Sequence, residues 1–221
     1  NTDLMVEINR IVSESLALEP TSEGLMESKR FDISKIDFDL LHREFAKAAN
    51  QGLIIKDLSE LVEERLKQML RSNPARIDYY ERYQNIIEQY NAEKDRSEIE
   101  RIFDELTKLA QDLSQEEKRY VREGFSSDEE LSVFDLLFKE DLNKKEIETI
   151  KKVAVDLLAK VKAKISELDH WTDKTETKAI IDNLIRDTLW AELPESYDEL
   201  SVSAHRQEIY QYIYMRYKDV A

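Results

Sequence analysis

An all-α fold, a multi-helix bundle of about eight to nine helices by its apolar periodicity, is what this chain of 221 residues predicts. Three observations carry that expectation. Only three Gly and three Pro interrupt the sequence, too few for tight hairpins or a Gly-rich phosphate loop. Apolar residues recur three and four apart along most of the chain, the spacing that lines one face of a helix, and no run alternates as a strand would. Side chains that sit well in helices, Glu, Lys, Leu, Arg and Ala, are abundant.

In chain order, Thr2 is positioned to cap a first helix to about Leu18, and Glu19 to Gly24 break it. Residues 25–33 read as irregular. Ser34 or Asp37 then opens a short helix with Phe38, Leu41, Phe45 and Ala48 in its buried row, which Asn50-Gln51-Gly52 should close. A further helix runs from about Leu53 to Ser72 on Leu58, Leu61, Val62, Leu66, Met69 and Leu70. Asn73 is a good N-cap and Pro74 suits the first helical position, where its missing N–H costs nothing. The helix so opened buries a tyrosine face of Ile77, Tyr80, Tyr83, Ile86, Ile87 and Tyr90, and forms a hairpin or a sharply bent pair with its predecessor.

The pattern resumes with Ile99, Ile102, Phe103, Leu106, Leu109, Ala110 and Leu113. Ser114-Gln115-Glu116-Glu117 has the form of a capping box, restarting a helix toward Gly124. Ser127-Asp128-Glu129-Glu130 repeats the signal before Leu131, Phe134, Leu137 and Phe138. Asn143-Lys144-Lys145-Glu146 does so again ahead of the longest regular run, Ile147, Ile150, Ala154, Leu157, Val161, Ile165 and Leu168. After Asp169-His170-Trp171 another helix carries Ile180, Ile181, Leu184, Ile185, Leu189 and Trp190, stopped by Leu193-Pro194. A last one uses Leu200, Ala204, Ile209, Tyr210, Ile213, Tyr214 and Tyr217. No internal repeat has a fixed period, which argues against a solenoid. The expected division is a helical lobe over 1–94 and a second over 95–221, with one continuous domain as the other option. Beginning at Asn1, the chain reads as a piece of something longer.

Composition narrows the function. An apolar content of 41% is enough for a core despite 37% charged residues. Cysteine is absent, which removes disulfides, thiolate zinc sites and cysteine nucleophiles together. No apolar run approaches a membrane span, so a cytoplasmic location without membrane contact is expected. The net charge of −15 opposes nonspecific DNA binding, which depends on Lys and Arg replacing phosphate counterions, and points to a protein partner.

The motifs for chemistry are thin. No P-loop is present, so no ATP site is expected. His42, His170 and His205 lie far apart and would need one another or carboxylates to hold zinc. Glu167-x-x-His170 matches a single half of a ferritin-like di-metal element, the basis of a minor alternative, a helical metal-dependent enzyme. Glu116-Glu117-Lys118 superficially offers a nuclease-like pairing but reads as a solvated first helical turn. Lys144, Lys145, Lys151, Lys152, Lys160, Lys162 and Lys164 form the one stripe suited to DNA, and also the wet side expected of any amphipathic helix. Tyr79, Tyr80, Tyr83 and Tyr90 have rings that could stack on bases, but their helical spacing favours core or interface, and Trp171 and Trp190 read as core first and partner anchors second.

One resemblance adds to this. Asn73-Pro74, Arg76-Ile77-Asp78, Tyr83, Ile86-Ile87, Tyr90-Asn91 and Lys94-Asp95 together resemble the C-terminal helical region of the restriction (R) subunit of type I restriction-modification enzymes. The likeness extends through Phe31 to Ser34, Glu44 to Ala48, Arg119 to Gly124, Phe134 to Leu137, Ile150 to Ala154 and Asp187 to Trp190. It implies a parent that cleaves DNA with ATP and Mg²⁺, as an ATP-dependent type I site-specific deoxyribonuclease. It further implies a non-catalytic fragment, itself without cofactor, that docks the translocase to the methylation and specificity subunits and reaches DNA through the parent complex. Tyr79, Tyr83, Tyr90, Asn91, Lys94, Trp171 and Trp190 are the candidate interface residues for that role. The lysine stripe from Lys144 to Lys164 supplies the alternative of a DNA-guiding element.

Overall fold

The computed structural model describes residues 36–92 and 96–218, which are helical with short connections and contain no strand among the described residues. The helix expected from Thr2 to Leu18, the break after it and the irregular stretch 25–33 lie outside them. By contacts the chain divides into two compact units. One holds the described residues through Met69 together with Arg76–Lys118; the other holds Leu70–Ala75 and the chain from Arg119 onward. A lobe boundary near residue 94 differs from this division, because the helices on either side of that point share one core from Phe45 to Leu113.

In the first unit, α1 (Phe38–Lys47) opens on Asp37, whose carboxylate accepts the Leu40 N–H at 2.9 Å. Helix α2 (Gln51–Ser72) buries Ile55, Leu58, Val62, Leu66 and Met69, a row at spacings of three and four. Gly52 therefore stands in the first turn of α2 and does not close α1, which ends at Lys47. Its lack of a side chain serves another purpose: a Cβ there would lie 3.2 Å from the Tyr90 hydroxyl. A 3₁₀ turn, Pro74–Arg76, precedes α3 (Ile77–Ala92). Tyr90 near the end of α3 meets Gly52 at the start of α2, so these two helices are an antiparallel hairpin. Helix α4 (Arg96–Glu116) completes the unit, with Ile102, Phe103, Leu106, Leu109, Ala110 and Leu113 fully buried. The Phe45 ring of α1 stacks on Phe103 of α4 at 3.7 Å between centroids.

No helix restarts at Ser114. Helix α4 continues through it because Leu113 and Glu116 are both buried, and burial outweighs a local capping signal.

The second unit begins with α5 (Arg119–Arg122), a single turn closed by Gly124 at φ 84°. Phe125 N–H bonds to the Tyr120 carbonyl at 2.8 Å and Gly124 N–H to that of Val121 at 3.2 Å, the Schellman pattern that a left-handed glycine permits. Helix α6 (Asp128–Leu137) is capped by Ser127. Helix α7 (Lys144–Ser166) carries the full capping box, Asn143 accepting from Glu146 N–H at 3.1 Å while Glu146 accepts from Asn143 N–H at 2.9 Å. Helices α8 (Thr175–Glu192) and α9 (Glu199–Tyr217) follow, the latter capped by Asp198. Packing runs α6 on α7, α7 on α8, α8 on α9, and α9 back on α6.

Trp171, fully buried, sits in this second core with its indole N–H donating to the Tyr217 carbonyl at 2.9 Å. Tyr210 and Tyr214 meet its ring nearly edge-on. The end of α6 shows how side chains complete a helix: the Tyr197 hydroxyl donates to the Leu137 carbonyl and the His205 ring to that of Leu136 at 2.7 Å. A carbonyl only accepts, so Nδ1 of His205 carries the proton. Both carbonyls belong to the last turn, which has no intrahelical donors of its own.

Candidate functional site

The residues around Asn73 are held by buried polar contacts within each unit. In the second, Asn73 is fully buried; its side-chain oxygen accepts Ala75 N–H at 3.1 Å and its amide donates to Asp135 at 2.7 Å. Asp135 also takes both terminal nitrogens of Arg119, at 2.5 and 3.1 Å, in a two-pronged pair. Ser132 donates to the Ser72 carbonyl at 2.9 Å. In the first unit, Arg76 and Glu116 are 4% and 8% exposed and meet at 3.0 Å.

Arg76–Glu116 corrects the reading of Glu116 as a solvated helix start. It is the last residue of α4, inside the fold, with a guanidinium for a partner. Its neighbour Glu117 bonds Arg65 of α2. No signal near Glu116 reveals this, since its partner lies forty residues away in sequence.

The histidines are not brought together. His42 faces Asp104 at 3.2 Å in the first unit. In the second, His205 bonds the α6 carbonyl described above, and His170 stands exposed beside Asp169 at φ 44°. Glu167 caps α7 and takes Lys164 at 2.6 Å. Among the described residues no group of three or more His, Asp or Glu side chains is placed to hold a metal ion.

Of the seven lysines on α7, four are occupied. Lys151 lies 3.0 Å from the Glu123 carboxylate and beneath the Phe125 and Phe134 rings; Lys160 bridges Asp156 at 2.5 Å and Glu192 at 2.6 Å. Lys162 pairs with Glu129, and Lys164 with Glu167. Lys144, Lys145 and Lys152 are exposed, with no ion pair to another described residue. The stripe thus serves largely as bracing between helices.

Tyr83 is buried, and burial first, then Glu63, pushes its hydroxyl up to about 12. Tyr79 and Tyr90 are half-buried against the first core, and Asn91 is exposed. Lys94 lies outside the described residues. The two tryptophans part company: Trp171 is fully buried, whereas Trp190 is 54% exposed on α8 and Ile180 is 42% exposed on the same helix. Both were expected on the apolar row. Packing instead turns Ile181, Ile185, Thr188 and Leu189 inward.

Compared with known proteins, residues 1–212 match the family model described as type I restriction enzyme HindI endonuclease subunit-like, C-terminal. The chain belongs to that family. No curated protein and no solved structure matches it.

The segments that resemble this endonuclease-subunit family now have physical roles. Asn73, Arg119 and Asp135, from three separate phrases, form one polar cluster in the second unit, and Arg76 neutralises Glu116 in the first. Ile150, Val153 and Ala154 are core. The phrase Asp187 to Trp190 is only half accounted for: Thr188 and Leu189 face the core, while Asp187 and Trp190 face solvent.

Proposed function

We propose that this domain is the docking and coupling element of the endonuclease subunit, joining an ATP-driven motor elsewhere in the parent chain to the methylation and specificity subunits. The observation that carries this reading is the family match across residues 1–212, which assigns the chain to the C-terminal part of an endonuclease subunit. On this reading ATP and Mg²⁺ act elsewhere in the parent, and the two compact units are the lobes of one assembly domain. The rigid cores support it, since a docking surface works best on elements already fixed before binding. The neutralised lysines favour it over DNA guiding, because four of the seven cations already have carboxylate partners.

Size-exclusion chromatography of the domain with the purified methylation-specificity complex tests the reading. Co-elution at micromolar concentration is the expected result. Separate elution, with short duplex DNA retained instead in a salt-sensitive way, would overturn it in favour of a DNA-guiding element built on Lys144, Lys145 and Lys152.

A further inference from the structure

One line of exposed side chains runs the length of helix α8. Glu176, Ile180, Asn183, Asp187 and Trp190 follow one another at spacings of four, three, four and three, and all five are exposed. Ile180 and Trp190 stand about 15 Å apart at 1.5 Å of rise per residue. The opposite side of α8 carries Ile181, Ile185, Thr188 and Leu189, all buried, so the outer line is presented by a helix already fixed in place. A half-exposed tryptophan on such a helix is poorly placed for a solvated face and well placed for an anchor.

We propose that this line, resting on the docking reading above, is the helix that enters an apolar groove of the methylation-specificity complex, and that the groove has a basic rim. Two apolar pockets one and a half helical heptads across would receive Ile180 and Trp190, the helix-in-groove arrangement with anchors at helical spacing. The line bears Glu176 and Asp187 and no lysine or arginine, so the complementary wall supplies cationic donors between and beside the pockets. Arg186 meets Asp187 at 2.9 Å, but from an adjacent position and with both side chains exposed, leaving the carboxylate open to an outside donor.

The same geometry disfavours a second copy of this chain. Pairing the line with itself antiparallel about Asn183 sets Asp187 on Ile180 and Glu176 on Trp190, burying carboxylates on apolar surface. A parallel pairing sets each acid on itself.

The test titrates the whole domain into the purified methylation-specificity complex, comparing wild type with Trp190→Ala, Asp187→Lys and, as a control on another exposed apolar side chain, Leu200→Ser. Circular dichroism melts establish that each variant stays folded. The proposal expects weakening of about tenfold or more for the first two, near-unchanged binding for the third, and a blue shift of wild-type tryptophan emission as Trp190 leaves water. Binding by wild type with Trp190→Ala and Asp187→Lys unaffected overturns the α8 surface while leaving docking intact. No binding by wild type overturns docking itself and this surface with it. A dimer of the free domain that Trp190→Ala abolishes would assign the surface to self-association and overturn the proposal.

Discussion

The two units solve the same problem, holding four or five short helices together, with different chemistry. In the first, α4 acts as an acidic spine. Its Asp104 takes His42 of α1, Asp112 takes Arg82 of α3 at 2.6 Å, Glu116 takes Arg76 of the 3₁₀ turn, and Glu117, the residue just after it, takes Arg65 of α2. Each other element of that unit thus meets a carboxylate on α4 or on the residue that follows it. The second unit also has ion pairs between its helices, Lys162 and Arg216 on Glu129 among them, but adds a buried aromatic centre of Trp171 with Tyr210 and Tyr214, and tyrosine and histidine side chains that finish the end of α6. The contrast teaches where each is vulnerable. Exposed ion pairs contribute little and weaken with salt, whereas a buried pair becomes costly once one member is removed.

The largest effects should come from the centre of each unit. Glu116→Gln leaves Arg76 buried against a neutral partner and should destabilise by about 3–5 kcal/mol, as should Trp171→Ala, which opens a cavity. Denaturant melts measure both. If Glu116→Gln costs under about 1 kcal/mol, the spine is decorative and the first unit is held by its apolar core alone.

A moderate effect is expected at alkaline pH, and it should involve both units. Tyr83 in the first and Tyr197 and Tyr212 in the second are each pushed up to about 12, chiefly by burial. A phenol whose folded value is raised stabilises the fold fully below its ordinary value near 10 and loses that contribution as pH rises toward 12. Stability should therefore fall over that interval, followed by phenolate absorbance against circular dichroism. Ionisation of all ten tyrosines as one ordinary class, with the fold intact, would contradict it.

The smallest effect is the response to salt. Raising ionic strength should weaken Arg82–Asp112, at about 1 kcal/mol or less, and leave the Trp171 cluster untouched. Hydrogen exchange read over α3 and at the buried Trp171 indole N–H sharpens the contrast, since protection should drop in the first and hold at the second.

Much of this fold was legible because its signals are local. Asn143 and Glu146, three residues apart, announce the start of α7 and make the reciprocal bonds their spacing implies. Of the tyrosine row of α3, Tyr83 and Ile86 are buried and Tyr80, Ile87 and Tyr90 partly so, as the periodicity implies, but Ile77, in the first turn, is exposed. What local reading misses depends on distant partners. Glu116 looks like a helix start until Arg76 arrives from forty positions upstream, and Gly52 looks like a helix end until Tyr90 approaches it. Trp190 and Ile180 fit an apolar row by spacing, yet a helix has room to bury only one side, and Ile181, Ile185 and Leu189 take it. The candidate surface became visible only through that competition.

Glu129 carries a consequence for how such a chain can change over generations. Its carboxylate receives Lys162 of α7 and Arg216 of α9; burial pushes it up, but these two cations and the Tyr217 hydroxyl outweigh that and hold it below the usual carboxylate range. Three helices thus share one negative charge. A neutral residue there would take the shared carboxylate from both cations, so drift at this position should be tolerated only in step with a compensating loss at Lys162 or Arg216.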